Sequence, residues 1–166
     1  MTWTPFFVAV AATAGTLIGL HFIAVSLRLE AMPADVRVGL RARGAFYLLT
    51  AVLLISIVEL AAVSAAVVGA VQALVAVAIA VILTVVNFLP ALRAGAVHGR
   101  VLFRTIQAYL TLGLVVAAGI GRGVGIARED AQLMVAVALL PLLVNGILNA
   151  WSLVLSSPAT AANQPK

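Results

Sequence analysis

Residues 71–92 read VQALVAVAIAVILTVVNFLPAL, without one charged side chain. An α-helix needs about 20 consecutive apolar residues to cross the hydrocarbon core of a bilayer, and this stretch supplies them. Four more stretches read the same way: 5–27, 45–68, 105–121 and 133–155. Beside the shortest, 105–121, Arg104 is expected to snorkel so that Leu102 and Phe103 complete the span. The runs are continuous and lack the two-residue alternation of barrel strands, so helices are expected and a barrel is not. The predicted fold is all-α, an integral membrane bundle of five transmembrane helices forming one domain over 1–155. A small, polar, Pro-containing tail over 156–166 is expected to be disordered.

Composition points the same way and narrows the chemistry. Hydrophobic residues make up 64% of the chain and charged ones 9%, against roughly 25% charged in a typical globular domain. A water-soluble protein of this size cannot hide that much apolar surface. Cysteine is absent, which removes disulfides, thiolate metal sites and thiol nucleophiles. Two histidines and five acids leave little material for a metal cage or a catalytic triad. No phosphate-binding glycine motif or zinc-protease motif occurs; Gly121, Gly123 and Gly125 follow an apolar segment with no βαβ setting. No metal, no cofactor and no enzymatic activity are expected. The net charge of +5 comes from basic residues scattered in short loops, a topology signal and not a nucleic-acid surface.

Those basic residues set the expected orientation. Arg122 and Arg128 fall on one side of the five spans. Arg28, Arg37, Arg41, Arg43, Arg93, Arg100, Arg104 and Lys166 fall on the other. The positive-inside rule puts the second group in the cytoplasm, so the N-terminus is expected outside and the C-terminus inside, in a multi-pass protein of the bacterial inner (plasma) membrane. Trp3 and Trp151 fit the two interfacial belts. The first span has no basic region before it and Arg28 after it, so it reads as an uncleaved helix and not as a signal peptide. Between the first two spans, Pro33 followed by Val36 with Leu40 and Arg37 with Arg41 carries helical spacing. It reads either as a solvated loop or as an early start of the second helix. In the second case Arg37, Arg41 and Arg43 would form a surface for lipid headgroups or a partner.

Polar groups within spans are the candidate functional positions. Glu59 is expected in the outer half of the second span and His21 in the inner half of the first, at depths differing by roughly 12 to 15 Å by helical rise. Glu59 reads first as an acid bonded to a neighbouring helix, and more sharply as a relay facing water. Asn87, Gln107, Asn145 and Asn149 are expected near His21's level, with Asn145 and Asn149 on one helix face. They read as interhelical bonds or as the lining of a polar cavity. Ala11, Gly15 and Gly19 form one small-residue stripe and Ala61, Ala65 and Gly69 another, both suited to close helix packing, within the chain before between chains. Pro90 and Pro141 are expected to kink or end helices.

The run Gly19-Leu20-His21-Phe22-Ile23-Ala24-Val25-Ser26-Leu27 and the closing Gly146-Ile147-Leu148-Asn149-Ala150-Trp151 resemble the ends of an uncharacterised actinobacterial family of five-helix membrane proteins. Its first span ends in G-L-x-F-V-A-x-S-L and its last in G-x-x-N-A-W; automated naming often labels its members modulators of the FtsH protease. The resemblance carries over to Gly19, Ser26, Asn149 and Trp151, without a chemical role, and implies that the position of Glu59 is usually apolar. The expected function is that of a small non-enzymatic assembly or accessory subunit, packing helices with itself or with another membrane protein. The alternative is an oligomeric proton or ion channel or transporter using Glu59 and the polar cluster around His21.

Overall fold

The structure, a computed structural model, describes residues 3–26, 36–93, 95, 99–125 and 127–155. It is all-helical over these residues, with five helices long and apolar enough to cross a membrane. They are α1 (Thr4–Ser26), α2 (Val36–Leu60), α3 (Ala65–Arg93), α4 (Gly99–Gly123) and α5 (Arg128–Leu155). The tail over 156–166 lies outside the described residues.

Local chemistry explains the helix ends. Hydropathy runs unbroken from α2 into α3, yet α2 stops at Leu60. Ser64, in extended conformation, caps α3 by accepting from the Val67 N–H at 3.4 Å. A serine oxygen that satisfies a first-turn donor fixes where a helix begins. The second span therefore ends at Leu60 and not at residue 68, and Ala65 and Gly69 belong to α3. At the other end α2 begins at Val36, so the early helical start is the one found. Arg122 lies in the last turn of α4 and Glu129 and Asp130 in the first turn of α5, each charge at the favourable end of its helix dipole. Gly125, at φ +95°, makes the left-handed turn between these helices.

Neither proline ends its helix. α5 runs through Pro141. α3 carries a π-helical turn, Leu83–Phe88, before Pro90 and then continues through Leu89–Arg93. Proline lacks an N–H and its ring collides with the carbonyl four residues back. Widening the preceding turn, with the Leu89 N–H bonded to the Thr84 carbonyl, accommodates it.

α2, α3, α4 and α5 form a ring in which each packs on the next and α5 closes on α2. α1 stands outside, against α2 and the edge of α5. The core joins Val52 and Ile55 of α2, Ala76 and Ile79 of α3, Leu112 and Val115 of α4 and Val135 and Leu139 of α5, with Phe7 and Ala14 of α1 packed on it. Glycine sets the closest approach. A Cβ built on Gly69 of α3 would collide with the Gly119 carbonyl oxygen of α4, and the reverse substitution meets the Gly69 carbonyl. Gly69 thus packs helices as expected, on a different helix, whereas Ala65 is exposed and Ala61 lies in the break. Gly15 and Gly19 have nothing within 4 Å of a built Cβ; their face points away from the bundle.

Candidate functional site

Each helix of the ring contributes one polar side chain to a buried cluster at the end of the bundle that holds the short links 61–64 and 124–127 (the short-loop end). Glu59 of α2 and Arg122 of α4 form an ion pair through Oε1 and Nη2, each side chain 2% exposed. Gln72 of α3 donates to the same Glu59 oxygen at 2.7 Å, and its own Oε1 accepts from Arg122 Nη1. Gln132 of α5 reaches Glu59 Oε2 at 3.5 Å. The acid sits in the last turn of α2, the unfavourable end of a helix dipole for an anion. Three donors from three other helices offset that and the cost of burial.

Glu59 is therefore bonded to its neighbouring helices, and it sits closer to the end of its span than the sequence places it. It is next to last in α2, about 26 Å by helical rise from the start of the membrane-length segment at Ala42. Arg122, read from the sequence as a loop residue that fixes topology, is buried and is its counter-ion. Gln72 and Gln132 complete the cluster from within the spans of α3 and α5. A glutamine inside an otherwise apolar run, at the same end of its span as an acid and an arginine in neighbouring spans, was the available signal.

The other candidates do not join this cluster. His21 is buried near the far end of α1, where Nε2 donates to the Ala42 carbonyl of α2 at 2.9 Å; Nδ1 has no partner among the described residues. Asn87, in the π-helical turn, lies flat on Gly44: a Cβ built there would be 2.6 Å from Asn87 Nδ2. Thr84, on the same turn, shares a 2.6 Å hydrogen bond with the Tyr109 hydroxyl of α4. Gln107 donates to the Pro141 carbonyl at 3.4 Å, so the proline segment does meet a polar side chain.

Asn145 and Asn149 do come together, with Arg104 and not with His21. Asn145 Nδ2 donates to the Arg104 carbonyl at 3.1 Å, Asn149 Nδ2 to Asn145 Oδ1 at 3.3 Å, and Arg104 Nη1 to Asn149 Oδ1 at 3.0 Å. A cleft of about 290 Å³ between α4 and α5 is lined by Arg104, Gln107, Asn145, Phe103, Val144 and Leu148, with Gly99 at its edge. Arg43 is exposed; the side chains of Arg37 and Arg41 lie outside the described residues.

Arg104 and Arg122 are 18 positions apart on α4, about 27 Å by helical rise. Between the two polar clusters the interior is filled by Val52, Ile55, Leu112, Val115, Val135 and Leu139, each at most 2% exposed. Ser56, fully buried one turn from Glu59, makes no hydrogen bond through its hydroxyl among the described residues. No group of three or more metal-ligating side chains comes together among the described residues. The arrangement can fix four helices at one end and hold a second, half-buried cation at the other. Set beside known proteins, the chain matches no family model, no curated protein and no solved structure.

Proposed function

We propose that this chain is a multi-pass protein of the bacterial inner (plasma) membrane, N-terminus outside and C-terminus cytoplasmic. It acts without catalysis, as an assembly or accessory subunit that packs helices with itself or with another membrane protein. Five helices of spanning length and the distribution of basic residues support the placement. The motifs at 19–27 and 146–151 support placing it beside the actinobacterial five-helix proteins they resemble.

One observation carries the assembly reading. α1 stands outside the ring, and its Gly15 and Gly19 face is open, flanked by exposed Val8 and Phe22. Close helix approach through glycine is a main source of association in lipid, where the hydrophobic effect is spent on insertion. The glycines of α3 and α4 are used inside the bundle; those of α1 are left for contact outside it. A proton or ion path is the weaker reading, because Glu59 is matched by Arg122 and the interior beyond it is apolar.

The test is the assembly state in nanodiscs, with copurifying membrane proteins identified, for the natural chain and for Gly15→Leu/Gly19→Leu. The natural chain is expected to self-associate or retain a partner, and the double variant to remain folded and lose the association. A monomer without a partner, or an assembly indifferent to the double substitution, overturns this reading. Proton or cation flux through liposomes that disappears in Glu59→Gln establishes the transport reading instead.

A further inference from the structure

The two arginines at opposite ends of α4 are treated in opposite ways. Arg122 is matched by a carboxylate. Arg104 is matched by a neutral oxygen, Asn149 Oδ1. Of the five N–H donors of a guanidinium, the others on Arg104 meet no acceptor among the described residues. No described carboxylate lies near it: Glu59, Glu129 and Asp130 are all at the short-loop end. Among the described residues, then, this half-buried cation is met by no carboxylate and is held in place by the carboxamide of Asn149.

The surroundings of that cation are specific. Its cleft has polar groups, Gln107 and Asn145, on one part of the wall and Phe103, Val144 and Leu148 on the rest. Phe103 is 68% exposed, and Val144 and Leu148 are exposed as well, so the cleft opens on the apolar outer surface of the bundle. Arg104 lies about 27 Å along α4 from the buried Arg122, close to the thickness of one hydrocarbon core, about 30 Å. This is the depth at which phosphate groups meet acyl chains. A ligand that fits has anionic oxygens at one end and hydrocarbon at the other.

We propose that the cleft between α4 and α5 is a binding site for an anionic phospholipid. The Arg104 fork binds the phosphate oxygens, a geometry that guanidinium matches bidentately, and an acyl chain runs along Phe103 and Leu148. Asn149 positions the fork. The proposal rests on the membrane reading above. In the orientation given there, the site faces the cytoplasmic leaflet, where anionic lipids attract basic groups.

The experiment is native mass spectrometry of the detergent-solubilised protein in an equimolar mixture of phosphatidylglycerol and phosphatidylcholine. Soluble glycerol phosphate serves as competitor, and alkaline carbonate extraction of the membranes runs alongside. The natural chain is expected to retain phosphatidylglycerol over phosphatidylcholine by about five-fold, the weight of one basic residue at an anionic surface. Arg104→Gln is expected to bring that ratio to parity. So is Asn149→Asp, which leaves the arginine in place and occupies it with an internal carboxylate. Arg128→Gln, an exposed charge at the other end, should leave the ratio unchanged. Parity in the natural chain overturns the proposal, as does a preference that survives both cleft variants. Displacement by glycerol phosphate at lipid-like concentrations replaces it with a site for free phosphate esters. Release of the protein by carbonate sinks the membrane reading and the lipid site together, whereas retention with parity sinks the lipid site alone.

Discussion

Replacing Arg122 by methionine removes the counter-ion of Glu59 while keeping much of the volume. Two contacts are lost directly, the ion pair to Glu59 Oε1 and the bond to Gln72 Oε1. Charge-assisted hydrogen bonds contribute about 1.5–3 kcal/mol each, and breaking a buried pair from one side costs about 3–5 kcal/mol. With both side chains 2% exposed, solvent screening gives no relief, so Arg122→Met is expected to destabilise by about 3–5 kcal/mol. Glu59→Met, which strands the guanidinium, should fall in the same range. The double variant carries no buried charge. Its cost reduces to the unmet amides of Gln72 and Gln132, about 1–3 kcal/mol, well under the sum of the singles. The cycle can be measured by titrating the protein from dodecylmaltoside into SDS and following tryptophan fluorescence, since Trp3 packs against Phe6 and Phe7. Single variants that each cost below about 1 kcal/mol, or effects that add within about 0.5 kcal/mol, would refute the idea that this pair holds the four helices.

The same titration tests three further expectations. Gly119→Val forces α3 and α4 apart at the Gly69 carbonyl and should cost about 1–3 kcal/mol or more as overpacking, whereas Gly113→Val, at a position open beyond 4 Å, should cost under about 1 kcal/mol. Ser56→Ala removes a buried hydroxyl that has no partner among the described residues; because an unmet buried polar group costs about 1–3 kcal/mol, stability should hold or rise, and a clear loss would mean that the hydroxyl is bonded. Tyr109→Phe deletes the 2.6 Å bond to the Thr84 hydroxyl and should cost about 0.6–2 kcal/mol; Thr84→Val deletes that bond and the 2.8 Å donation to the Ala80 carbonyl, so it should cost at least as much, and the double variant little more than Thr84→Val alone.

How much of this was legible beforehand depends on the distance over which each feature is decided. Spans are decided by local hydropathy, and five helices of spanning length follow from runs such as 71–92. The start of α3 is marked by one hydroxyl: Ser64 sits in an apolar run and changes hydropathy little, but its oxygen caps the helix that begins at Ala65. The Glu59 cluster is decided by tertiary packing. Its members come from four helices, and no spacing in the sequence links residue 59 to 72, 122 and 132. Counting Arg122 as a topology marker hid its pairing, because the positive-inside rule weighs an arginine by which side it lies on and ignores what it touches. The Asn145–Asn149 contact follows from intrahelical spacing; Arg104, expected at the interface, meets them only through the packing of α4 on α5.

The distribution of the buried charges along the chain also orders the steps of biogenesis. Synthesis proceeds from the N-terminus, so Glu59 and Gln72, joined by the tight link at 61–64, are available to each other before Arg122 and Gln132 exist. The 2.7 Å bond from Gln72 is then the acid's first partner. The counter-ion arrives only with the fourth helix, and the last donor with the fifth. Truncated nascent chains ending before residue 122 would carry an unmatched carboxylate, which makes them the intermediates most exposed to quality-control proteolysis, and chains extended past α4 the first to escape it.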